Sequence, residues 1–99
     1  MEDRLLDYYK AIEASSLQML AAARREDWDD VVRCEGACAV LIEQLRYRSK
    51  SELLPREHRA EKSKIMQRIL RNDAEIRVLA EPWLSQFAQM FDAKLQLIH

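Results

Sequence analysis

From Leu5 onward, apolar and small residues recur at Tyr9, Ile12, Ser16, Met19 and Ala23, in alternating steps of four and three. That rhythm keeps one face of a helix turned toward a neighbour and predicts a first helix over about residues 2–24. Arg24 and Arg25 fall in its last turn, where positive charge complements the carbonyl end of the helix dipole. A second seam follows at Val31, Cys34, Cys38, Leu41 and Leu45, with Val32 and Ile42 widening the stripe. It predicts a helix over about residues 27–47, opened by Asp27 as N-cap, with Asp29 and Asp30 adding negative charge to the first turn. The connection is so short that the two helices should form an antiparallel hairpin.

Between Tyr47 and Pro55 the apolar rhythm stops, and a polar stretch, Arg48 to Glu52, reads as a loop closed by Leu53-Leu54-Pro55. Pro55 suits the first position of a third helix, over about residues 55–80, because its missing N–H has no intrahelical partner to lose. The seam of that helix reads Ile65, Ile69, Ile76 and Leu79, with Asn72 in the gap and Asp73 with Arg77 as a favourable i,i+4 pair. Its first turns, Arg56 to Lys64, are almost wholly polar and should be exposed. Glu81-Pro82 then interrupts the helix, since proline clashes with the preceding turn and disfavours α geometry before it. Beyond the break, Trp83, Leu84, Phe87, Met90, Phe91, Leu95 and Ile98 crowd one side of a last short helix, over about residues 82–97. It could fold back on the other helices or continue the third one outward. The fold class expected is all-α: a single domain, residues 1–99, built as an antiparallel three-helix bundle with a short fourth C-terminal helix after the Pro break.

Composition agrees, with one glycine, two prolines and 33% charged residues among 99, the profile of a mostly helical chain. Sixteen basic residues against seventeen acidic ones leave a net charge of -1, so no overall field draws the chain to nucleic acid or an anionic membrane. The start, Met1-Glu2-Asp3-Arg4, lacks the form of a secretory signal, and no uncharged run approaches the roughly 20 residues of a membrane span. A cytoplasmic location is expected. In that reducing compartment Cys34 and Cys38, one turn apart on a helix, are expected as free thiols.

Little here points to chemistry. Cys34 and Cys38 share a helix face, but a metal site needs two more ligands, and only His58 and His99 are candidates, both remote in sequence. No Ser, Cys or His has a base and an oxyanion site beside it in the sequence, so neither catalytic residues nor a cofactor is expected. The basic run Arg46, Arg48, Lys50, Arg56, Arg59, Lys62 and Lys64 is interrupted by Glu52, Glu57 and Glu61, which favours a solvated face over a phosphate-binding one. The apolar side of the fourth helix is the most informative feature. It must be covered by the bundle, by a second copy or by a partner. Tyr8, beside seam residue Tyr9, sits at the edge of the first helix face and suits either an interface or packing.

The stretch Leu17-Gln18-Met19-Leu20-Ala21-Ala22-Ala23-Arg24, then Glu26-Asp27-Trp28-Asp29 and Val31-Val32-Arg33-Cys34-Glu35, resembles the first helical hairpin of the FliT family of flagellar export chaperones. Ile69-Leu70-Arg71-Asn72-Asp73-Ala74-Glu75-Ile76, followed by Leu79-Ala80-Glu81-Pro82, carries the likeness through the second half. Glu26 departs from the family, which often has glycine or asparagine in that turn. The resemblance implies a protein that holds the filament-cap protein FliD and delivers it to the export gate FlhA. It further implies contacts of some members with the export ATPase complex and with the regulator FlhDC. On that reading the client lies along the faces of the second and third helices, with the fourth as a movable cover. The partner-binding candidates are then Tyr8, for the gate, and Ile69, Ile76, Trp83, Leu84, Phe87, Met90, Phe91 and Leu95, for the client. Two other classes compete with it: a homodimeric helical bundle with no client, and a nucleic-acid-binding regulator.

Overall fold

The structure is a computed structural model and describes residues 4–81. These form three helices, α1 (Arg4–Arg24), α2 (Trp28–Ser49) and α3 (Arg59–Leu79), with a 3-10 turn, Arg56–His58, leading into α3. Among the described residues there is no strand.

The turn between α1 and α2 is fully hydrogen-bonded. Glu26 takes a left-handed conformation, φ 60°, which lets its N–H donate to the Ala23 carbonyl at 3.0 Å and the Asp27 N–H to the Ala22 carbonyl at 2.9 Å. This is a Schellman closure, the usual way of satisfying the last carbonyls of a helix. Asp27 then opens α2, its carboxylate accepting from the Asp30 N–H at 3.1 Å, as an N-cap should.

Helix α1 is the central element, packed against both α2 and α3, while α2 and α3 approach one another closely at few points among the described residues. Its burial is accordingly broader than a single seam: Leu6, Ser15, Leu20 and Ala22 are buried beside Leu5, Ile12, Ser16, Met19 and Ala23. Serine and alanine at Ser15, Ser16, Ala22 and Ala23 keep this helix thin enough to be flanked on two sides. Met19, Ile65 and Ile76, each 0% exposed, sit at the heart of the core with Val31, Cys38 and Ile69. Contacts from α1 to α3 rise together along both helices: Tyr9 meets Lys62, Glu13 meets Arg68, Ser16 meets Asn72 and Arg24 meets Glu75. These two helices therefore run in the same direction.

Several expectations require correction. Val32 does not widen the α2 stripe; it is 46% exposed, because it lies about 160° around the helix from Cys34 at 100° per residue. In α3 the buried set is Ile65, Ile69, Asp73 and Ile76, followed by the buried cap residue Ala80, and Leu79 is exposed. At the same rotation Asp73 falls about 40° from Ile69 while Leu79 falls about 80° to the other side. Asp73, only 3% exposed, is thus buried on the same side as the core isoleucines. Pro55 has extended backbone, φ -55° and ψ 145°, so the helix does not start there. The 3-10 turn begins at Arg56 and regular α structure at Arg59. At the other end α3 stops at Leu79, ahead of Glu81-Pro82, as the Ala80 N–H donates back to Ile76 at 2.8 Å. The expected fourth helix lies outside the described residues.

Candidate docking groove

The segment after α2 is anchored to the end of that helix. The N–H groups of Ser51 and Glu52 donate to the Arg48 carbonyl at 3.1 and 3.0 Å, and the Arg48 guanidinium donates to the Glu52 carboxylate at 3.3 Å. Arg48 is held above its usual basicity, first by Glu52 and then by the hydroxyl of Tyr8. Tyr8, near the start of α1, is half-buried and packs against the core. Leu53 and Leu54 follow Glu52 directly. Leu54 packs partly against the core, whereas Leu53 is 92% exposed.

Facing these leucines, α3 presents Arg59, Lys62, Ser63, Met66, Gln67 and Leu70, and together they line an open groove of about 590 Å³. The spacing by threes and fours puts those six on one helical face, beside the buried stripe. Leu53, Leu54, Met66 and Leu70 supply the apolar lining. Arg59 and Lys62 supply positive charge, with no carboxylate among the described lining residues. Lys62 is steadied by Tyr9, its ammonium 5.3 Å from the ring centroid, within reach of a cation–π attraction. Arg48 at the end of α2 therefore pins the loop wall and Tyr9 of α1 steadies the helix wall.

The sequence reading missed this groove, having placed Leu53-Leu54 as the end of a loop. Met66 and Leu70, an i,i+4 pair just off the Ile65–Ile69 seam, were the available signal. Of the residues that reading named, Tyr8 lies beside the groove's loop wall. Ile69 and Ile76, at 1% and 0% exposure, belong to the core and are not among the described residues lining the groove. Trp83, Leu84, Phe87, Met90, Phe91 and Leu95 lie outside the described residues. Cys34 and Cys38 are buried free thiols, and burial pushes the Cys34 thiol up. Among the described residues no cluster could hold a metal ion, and no described helix is long and apolar enough to cross a membrane. Within the basic run, Arg46 pairs with Glu43 and Arg48 with Glu52, so part of its charge is already matched.

Comparison with known families matches residues 6–94 to the family model described as flagellar protein FliT. Neither the curated proteins nor the solved structures contain a significant match.

Proposed function

The chain belongs to the flagellar protein FliT family, a family of export chaperones, and from that premise we propose that it is a cytoplasmic chaperone for the filament-cap protein FliD. It would hold the amphipathic C-terminal helix of that client and deliver it to the export gate FlhA. A family match running through all three described helices is the observation that carries this reading. The physical need is plain: an amphipathic helix awaiting export exposes apolar surface, and a helical partner with an open apolar groove can cover it.

In this proposal the three helices form an up-down-up antiparallel bundle, and residues 82–97 form a fourth helix acting as a movable cover. Trp83, Leu84, Phe87, Met90, Phe91 and Leu95 would be its contact side, and Tyr8 the contact for the gate. The proposal extends to the export ATPase complex and to FlhDC, through which a chaperone released from its client would restrain flagellar gene expression.

The test is calorimetric titration of the protein with a synthetic peptide carrying the C-terminal helix of the cognate filament-cap protein. Saturable one-to-one binding with a negative heat-capacity change is expected, since apolar burial drives it. Absence of binding, both to the whole chain and after removal of residues 82–99, would overturn the reading.

A further inference from the structure

We propose that the groove between Leu53-Leu54 and α3 seats an amphipathic helix flanked by acidic residues, with Arg48 pinning its loop wall and Tyr9 steadying its helix wall. The inference rests on the helix-binding reading above and adds to it a location and a charge for the bound segment.

Shape comes first. The α3 wall from Arg59 to Leu70 extends roughly 16 Å at about 1.5 Å per residue, enough to face about three turns of a partner helix. Leu53, 92% exposed, stands beside half-buried Met66 and Leu70. An isolated exposed leucine is unremarkable, but a leucine held by an anchored loop over an apolar helix face forms one side of a slot. The anchoring matters, because a wall already ordered loses less freedom when a ligand arrives. Both walls are ordered, the loop by the bonds of Ser51 and Glu52 to Arg48, and the helix through Tyr9 and Lys62.

Charge selects the occupant. Arg59 and Lys62 line the groove without a carboxylate among the described lining residues. Glu57 and Glu61 share this stretch of chain but are exposed and do not line it. A helix with glutamates or aspartates beside its apolar stripe would pair with those cations, whereas a basic-flanked helix would meet like charge. A phosphate backbone would also answer the charge but would leave the leucine and methionine surfaces uncovered. The apolar lining therefore argues for a helix.

Two designed peptides test this, identical in a leucine stripe at i, i+3, i+4 and i+7, one flanked by glutamates and the other by lysines. Each is titrated against the wild-type chain and against Leu53→Asp and Arg59→Glu, both at exposed positions where folding should survive. Far-ultraviolet circular dichroism and thermal unfolding verify that it does. Saturable binding of the glutamate peptide is expected, with the lysine peptide and both variants weaker by about tenfold or more and the difference shrinking as salt rises. Equal binding of the two peptides, no binding of the glutamate peptide, or unchanged affinity in the folded variants would each overturn the groove assignment. A filament-cap peptide separates the two readings. If it binds wild type and both variants alike, the groove is the wrong seat while the chaperone reading stands. If it fails on wild type while the glutamate peptide binds as expected, the groove stands and the client is wrong.

Discussion

The backbone N–H of Asp27 donates to the Ala22 carbonyl at 2.9 Å, reaching back across Glu26, the residue held at φ 60°. A side chain in the left-handed region costs about 1–2 kcal/mol through the crowding of its Cβ, while glycine there escapes that cost at some expense in unfolded-chain entropy. Glu26→Gly should therefore stabilise the protein by about 1 kcal/mol. Denaturant unfolding should show a higher midpoint with an unchanged slope. A lower midpoint would mean that the Glu26 side chain contributes something the turn geometry does not reveal.

Asp27 also starts α2, so Asp27→Ala should cost about 1 kcal/mol by removing the cap on the Asp30 N–H. Differential unfolding of the two proteins at neutral pH measures this directly, and no loss of stability would mean that the Schellman closure alone sets the junction.

One turn into α2, the hydrogen bond from Arg33 is the largest influence holding the Asp30 carboxyl below its ordinary value of 3.8, with Arg25 adding to it. Because the folded value is depressed, the stability this carboxylate contributes is present above the unfolded value and lost as pH falls through the folded one. Asp30→Asn should thus be less stable than wild type at neutral pH, with the gap closing as the pH falls through the depressed folded value. Parallel unfolding curves with a constant gap across that range would refute the linkage.

How far the sequence could be read follows from which interactions are local. Helix identity, the Asp27 cap and the end of α3 before Pro82 all depend on neighbours within a turn or two, and each was legible. The two-sided burial of α1 was not, because a single seam from Leu5 to Ala23 carries no mark of a second helix on the flank. Asp73 was legible as an i,i+4 neighbour of Arg77 but not as a buried residue. Its burial depends on rotation relative to Ile69 and on packing against α1. The groove was invisible for the same reason: Leu53 and Met66 become neighbours only after the loop is pinned by Arg48 and α3 is laid along α1.

Asn72 shows what such a long-range contact contributes. Its amide donates to the Ser16 hydroxyl at 3.0 Å, and that hydroxyl, on a fully buried residue, donates to the Glu13 carbonyl at 2.8 Å. Ser16→Ala should cost about 1 kcal/mol, since it leaves the half-buried Asn72 amide without this acceptor. A double-mutant cycle with Asn72→Ala should return a coupling of about 0.5 kcal/mol or more. Strict additivity would show that water replaces the bond at no loss.

Ile69 separates packing from binding. At 1% exposure, truncation to valine should cost about 0.5–1.5 kcal/mol and truncation to alanine about 2–5 kcal/mol. For the valine variant, which stays folded, affinity for a helical peptide should equal that of wild type. A drop in affinity larger than the drop in stability would return Ile69 to the binding surface and require the core to open when a partner arrives.

Tyr8 offers the sharpest distinction between its two readings. If its hydroxyl acts by bracing Arg48, then Tyr8→Phe keeps the ring in the core, loses the brace and loosens the Leu53 wall. Thermal stability should change little, because Tyr8 and Arg48 are both only partly buried, while affinity for the glutamate-flanked peptide should fall by about three- to tenfold. Arg48→Met should reproduce the same loss, and combining the two should add nothing further, since both remove one connection. Binding to the export gate gives the contrasting readout. A tyrosine that touches the gate directly would weaken gate binding in Tyr8→Phe but leave it intact in Arg48→Met. Equal effects of both substitutions on peptide binding, with gate binding untouched, would identify Tyr8 as a support for the groove.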